Sequence, residues 1–220
     1  MNISATLWMV LSIACVLLFL LMLYCNRRFK FPVWKVACLA VYAMATGLIT
    51  VKFMYFIENG TWGGLSFFGG VLLMPACLLL FAAAVRLPYL QVMDISSPGI
   101  CFISAIMKCQ CLACGCCTGR LWFYKQDGNP FYFPSREVEL AFALLLMGYF
   151  LYTIAKGKHR GKLYPLFMIL YGAGRFILNF FRATKPFVWI LPAGHFWALI
   201  SIALGALFLV LINKRRPKNP

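Results

Sequence analysis

Two stretches of this chain set reactive side chains among apolar neighbours. Lys108 lies within Ser97–Cys117, with apolar sequence on its N-terminal side and cysteines on its C-terminal side. A lysine at the centre of a bilayer costs roughly 2.5–3.5 kcal/mol on insertion scales, so it must face a partner or a wet cavity. Arg175 lies within Leu163–Phe181, where Tyr171, Arg175 and Asn179 follow one another at intervals of four. That spacing puts all three on one face of a helix, with Arg182 as a second cation beyond them. A guanidinium on such a stripe can hold a phosphate through two parallel hydrogen bonds. A purely stabilising arginine would want an acidic partner, and this segment contains none. Lys52 is nearer the end of its apolar run and can reach water by extending its side chain.

Residues 108–120 read KCQCLACGCCTGR, so that Cys111 with Cys114, and Cys114 with Cys117, form C-x-x-C spacings. Thiolates so spaced bind zinc or an iron–sulfur cluster. Zinc sites of this type take a second ligand pair, and no matching Cys or His pair occurs, since His159 and His195 stand apart. Neither a metal nor any other cofactor is therefore assigned. Cys15, Cys25, Cys38, Cys77 and Cys101 are scattered through apolar stretches and read as small buried hydrophobes. Gly63–Gly64 and Gly69–Gly70 bracket Leu-Ser-Phe-Phe, where missing side chains let the backbone approach a ligand or a neighbouring helix. Asp94 precedes the Lys108 stretch and suits a cap of that helix.

The elements that position these groups follow from composition. Of 220 residues, 63% are hydrophobic and 12% charged, and the mean hydropathy is +0.85. A water-soluble domain carries about a quarter charged residues, so that class is excluded, as are disorder and a disulfide miniprotein. About 20 apolar residues cross a bilayer as a helix. Such runs occur at Thr6–Cys25, Val36–Ile57, Ser66–Val85, Ser97–Cys117, Val138–Ala155, Leu163–Phe181 and Ala193–Ile212. The expected fold is an all-α integral membrane protein of about seven transmembrane helices, forming one transmembrane domain over residues 1–220.

The net charge of +16, from 21 Lys and Arg against 5 Asp and Glu, would suggest nucleic acid in a soluble protein. Here the cations sit between apolar runs, so they report orientation and anionic lipid, and no nucleic-acid partner is expected. Arg27, Arg28, Lys30, Lys35, Arg86, Lys156, Lys158, Arg160, Lys162, Lys214, Arg215, Arg216 and Lys218 fall on one side of a seven-span arrangement. Arg120, Lys125, Arg136, Arg182 and Lys185 fall on the other. The richer side marks the cytoplasm, which puts the N-terminus outside and the C-terminus in the cytoplasm. Residues 118–135 are then an extracytoplasmic loop, whose Trp122, Tyr124, Phe131, Tyr132 and Phe133 suit the headgroup level, and residues 213–220 are a basic cytoplasmic tail.

Six blocks follow in order along the chain: GGLSFFGG (Gly63–Gly70), MDISSP (Met93–Pro98), KCQCLACGCCTGR, FPSREVE (Phe133–Glu139), LYGAGRFILNFFR (Leu170–Arg182) and PAGH (Pro192–His195). From about Tyr55 to Gly205 they resemble the prolipoprotein diacylglyceryl transferases, membrane enzymes that lipidate bacterial prolipoproteins. That family carries a glycine-rich block, an Asp-x-x-x-Pro opening and an Arg-x-Gly-Cys signature followed by Gly-Cys-Cys-x-Gly. A His-Pro-Thr-x-x-x-Glu block, a Tyr-Gly-x-x-Arg-Phe stretch and a segment ending Gly-Gln follow.

The resemblance implies a seven-span enzyme of the bacterial plasma membrane that moves diacylglyceryl from phosphatidylglycerol, or another anionic phospholipid, to the lipobox cysteine of a prolipoprotein signal peptide. It implies catalytic roles for Lys108, Arg175 and Tyr171. Substrate binding is implied for Gly69, Gly70, Asp94, Cys111, Gly115, Gly119, Glu139, Asn179, Arg182 and His195. Several positions depart from the pattern. Phe68 stands where the family has histidine, Lys108 where it has arginine, Asn179 where it has glutamate and His195 where it has glutamine. These departures leave room for a catalytically altered relative that binds phospholipid, and the cysteine run for a metal or redox protein.

Overall fold

A computed structural model describes residues 3–115, 119–124, 129–182, 186–188 and 191–215. Cys116 and Cys117 of the cysteine run, with Lys125, Lys185, Arg216 and Lys218 of the charge pattern, lie outside the described residues, as do parts of 118–135 and 213–220. Eight helices and two small hairpins account for most of the rest. The helices are α1 (Ile3–Phe29), α2 (Val33–Asn59), α3 (Phe68–Leu72), α4 (Met74–Val85), α5 (Tyr89–Cys114), α6 (Ser135–Ala155), α7 (Leu163–Asn179) and α8 (Ala193–Arg215). Strands β1 (Leu121–Tyr124) and β2 (Pro130–Tyr132) pair antiparallel, as do β3 (Pro186–Val188) and β4 (Leu191–Pro192).

Five helices among the described residues are long and apolar enough to cross a membrane: α1, α2, α5, α6 and α8. Met74–Val85 and Leu163–Asn179 are shorter apolar helices. The stretch expected as one span from Ser66 to Val85 is broken at Leu73 into α3 and α4. The cause is Pro75: a helix running straight through needs an N–H there to meet the Val71 carbonyl, and proline has none. The Tyr164 hydroxyl donates to that carbonyl instead, at 3.0 Å.

The chain divides into two compact units. The first comprises Met1–Ile103 and Met147–Tyr164. In it α1 packs on α2, and α2 on α3 and α4. Leu18, Met22, Leu39, Leu78, Phe150 and Tyr164 are wholly buried. Cys25 is buried as expected, whereas Cys38 is exposed on α2. Helix α2 is long and apolar enough to cross a membrane, and on the outer face of such a helix an apolar thiol does not require the protein interior.

The second unit comprises Ser104–Leu146 and Pro165–Pro220. Close helix approach builds it. A side chain at Gly172 would collide with Ala198 and Ile202 of α8, and one at Gly174 with the Phe142 ring of α6. The Ser201 hydroxyl donates to the Met168 carbonyl at 2.8 Å, fastening α8 to α7. Hairpin β1–β2 lies across the end of α7: Arg120 N–H donates to the Phe181 carbonyl at 2.8 Å, and Gly119 pairs with Arg182. The Phe133 ring stacks on Phe181 with centroids 4.7 Å apart, so this part of the expected interfacial loop also packs on protein.

Candidate functional site

The second unit carries a buried cluster of charge. Helix α5 brings Lys108, α6 brings Glu139 from its first turns, and α7 brings Arg175, with Arg182 just past its end. Lys108 Nζ is 2.5 Å from Glu139 Oε2, Arg175 Nη1 is 2.6 Å from the same oxygen, and Arg182 Nη1 is 3.4 Å from Oε1. The side chain of Glu139 is 4% exposed, and those of Lys108, Arg175 and Arg182 are 14%, 10% and 17% exposed. The intervals of four in α7 act as expected: Tyr171, Arg175 and Asn179 are all buried. Tyr171 packs between the Phe142 and Phe167 rings.

Two sequence expectations change here. Lys108 is not near the middle of its helix: α5 starts at Tyr89, eight residues before the expected start, which moves Lys108 into its last turns. Arg175 does have an acidic partner, supplied by α6 rather than by its own helix. Sequence proximity could not show this, because Glu139 lies beside Arg136 and Glu137 and reads as one more interfacial charge.

The balance of the cluster decides its chemistry. Among these four side chains three cations meet one carboxylate, a formal excess of positive charge within the cluster. Surrounded by apolar helices, such charges act through a low dielectric and attract an anion far more strongly than they would in water. Glu139 meanwhile holds three long side chains in place, so that little reorganisation is needed when an anion arrives.

Other expected residues serve positioning. Gly115 has φ +68 and ends α5, a conformation that glycine adopts without strain. A side chain at Gly119 would strike the Phe133 backbone, so this glycine lets the two ends of the hairpin close on each other, and Gly119 also pairs with Arg182. Cys111 lies half-buried on α5, one turn past Lys108. Asn179 and His195 are buried in the same unit as the cluster.

Gly69, Gly70 and Asp94 belong to the first unit. A side chain at Gly69 would collide with the Thr50 carbonyl of α2, so helix approach accounts for it, while Gly70 makes ordinary contact with Val51. Asp94 lies within α5 and does not cap it. Its carboxylate, fully buried, accepts the Gly161 N–H and, at 2.9 Å, the Leu163 N–H at the start of α7. Lys52 is exposed. Among the described residues no three His, Cys, Asp or Glu side chains gather as a metal site would require.

A family model described as prolipoprotein diacylglyceryl transferase matches residues 9–211. A phosphatidylglycerol–prolipoprotein diacylglyceryl transferase of Dehalococcoides mccartyi is 26% identical over 199 residues, which covers 80% of this chain and 76% of the relative. One from Idiomarina loihiensis is 31% identical over 189 residues, covering 75% and 68%.

Proposed function

The chain belongs to the prolipoprotein diacylglyceryl transferase family, and from that premise we propose that it transfers diacylglyceryl from phosphatidylglycerol to the cysteine thiol of a prolipoprotein signal peptide. The observation that carries this reading is the buried excess of positive charge at Lys108, Arg175 and Arg182 around Glu139. In the reaction a carbon–sulfur bond forms at the diacylglyceryl carbon, and the carbon–oxygen bond to phosphate breaks. Glycerol phosphate leaves with the electron pair, and the thiol proton balances the added charge on it. Charge therefore accumulates on the phosphate as the bond breaks, and fixed cations there stabilise the transition state more than the ground state. Tyr171, Asn179 and His195 complete the polar surface of that site, with Cys111, Gly115 and Gly119 shaping its edge. Asp94, Gly69 and Gly70 support the helices of the first unit.

The setting we assign is the bacterial plasma membrane, crossed seven times, with Phe68–Val85 and Leu163–Asn179 adding to the five long helices. The N-terminus faces out and the basic tail at 213–220 faces the cytoplasm, following the positive-inside bias. Residues 118–135 then meet the outer headgroups, where the phospholipid and the signal peptide arrive.

The test is a transfer assay with the purified protein in phosphatidylglycerol nanodiscs and a lipobox peptide. Thioether-linked peptide and an equal amount of free glycerol phosphate are expected. Retained phosphatidylglycerol with no release over hours would instead identify a relative that binds the lipid without turning it over, the reading that Phe68 and Asn179 would favour. Stoichiometric zinc or iron with no transfer would favour the cysteine run.

A further inference from the structure

Within that polar surface, the second unit holds buried atoms that a phosphate held by the cations does not by itself satisfy. Asn179 is 2% exposed and His195 4% exposed. Asn179 Nδ2 and both ring nitrogens of His195 are buried and have no hydrogen-bond partner among the described residues. The two residues adjoin: a side chain at Gly194 would collide with the Asn179 amide, so Asn179 rests against the backbone next to His195. The imidazole stands edge-on to Phe176 and Phe180, with ring centroids 5.2 Å and 4.6 Å away, and neither ring offers a hydrogen-bonding group. Buried polar atoms in folded proteins almost always find partners, so three orphans in one place point to a ligand that supplies them.

Their chemistry restricts that ligand. A neutral imidazole presents one donor and one acceptor, and the asparagine amide nitrogen presents donors only. A bare phosphate would satisfy the donors and leave the imidazole's acceptor nitrogen empty. An amine would bring a further positive charge beside the cations Arg175 and Arg182, which flank Asn179 in sequence. A hydroxyl both donates and accepts, and two adjacent hydroxyls match the whole set.

We propose that Asn179 and His195 form a hydroxyl-binding subsite that reads the polyol end of an anionic phospholipid headgroup while the neighbouring cations hold its phosphate. This rests on the transferase reading for the identity of the lipid, and on the orphaned polar atoms for the subsite itself. The departures at these two positions then act together as a specificity device of this chain.

The experiment compares phosphatidylglycerol with phosphatidylpropanol, which keeps the charge and length of the headgroup and lacks its free hydroxyls. Release of glycerol phosphate or propyl phosphate is measured for the wild type and for His195→Phe, Asn179→Ala and His195→Gln. The wild type should prefer phosphatidylglycerol in kcat/KM by roughly tenfold to a hundredfold, as expected for a site whose polar groups are left unpaired by the analogue. His195→Phe and Asn179→Ala should bring that ratio to within about threefold of unity, while His195→Gln, which keeps a donor and an acceptor, retains most of it. Wild-type preference in both His195→Phe and Asn179→Ala would overturn the proposal. If either variant does not yield folded protein, His195→Gln and Asn179→Ser, compared in the same way, decide it. If the wild type turns over neither lipid, the transfer reading fails, and the subsite is read by native mass spectrometry from nanodiscs holding both lipids in equal amount. Selective retention of phosphatidylglycerol, lost in His195→Phe, supports it; equal retention by the wild type refutes it.

Discussion

Asp94 and Glu139 are both buried carboxylates on helices of this protein, and they are answered in opposite ways. Asp94, in the first unit, accepts backbone N–H groups of Gly161 and Leu163, the orphan donors where a loop becomes α7. Arg28, Lys158 and Arg160 line the space beside it and are exposed. Glu139, in the second unit, is answered by Lys108, Arg175 and Arg182, all largely buried. A carboxylate satisfied by helix-end dipoles is a structural fastening. One outnumbered by buried cations leaves positive charge over, and that remainder is what a phosphate can use.

The contrast is open to attack at both ends. Removing the charge at Glu139 should have the largest effect, because Glu139→Gln leaves three buried cations repelling one another. A loss of about 3–5 kcal/mol in stability is expected, visible as a lowered unfolding midpoint in detergent, together with loss of transfer. An unchanged midpoint would show that solvent, not Glu139, balances those cations. Next comes Arg175→Ala, for which glycerol phosphate release should fall by roughly a hundredfold to a thousandfold, the usual effect of deleting one group that stabilises charge in a transition state. Retained activity would remove Arg175 from the phosphate site.

Asp94→Asn sharpens the comparison from the other side. It should lower stability by about 1.5–3 kcal/mol, the scale for hydrogen bonds to a charged group, while turnover per folded molecule stays within a few-fold of wild type. Abolished turnover in a fully stable Asp94→Asn protein would erase the distinction between the two carboxylates. The smallest effect is expected for Lys108→Arg. The charge is kept and a planar fork is gained, so release should equal or modestly exceed that of the wild type, whereas Lys108→Ala should abolish it.

Much of this was legible in the chain itself. The cost of charge in hydrocarbon singled out Lys108 and Arg175, and intervals of four placed Tyr171, Arg175 and Asn179 on one buried face. Glu139 was less visible. It sits at a helix start among other charges, and only its place in a family-like block marked it. That it meets three cations depends on helices far apart in sequence, which periodicity does not encode. The same limit hid the fastening of Asp94 to backbone 67 and 69 residues away. Hydropathy also gave no sign that Ser66–Val85 breaks into two helices, because a proline at residue 75 changes backbone hydrogen bonding without changing apolar character. The β1–β2 hairpin was hidden because short aromatic strands resemble an interfacial loop in composition.

In the proposed reaction the buried cations around Glu139 receive a phospholipid phosphate. An experimental structure determined in phosphatidylglycerol nanodiscs tests this most directly. Lipid phosphate oxygens are expected within hydrogen-bonding distance of Lys108 Nζ and the Arg175 guanidinium. A well-defined lipid whose phosphate lies elsewhere, with all three cations turned wholly to Glu139, would contradict it.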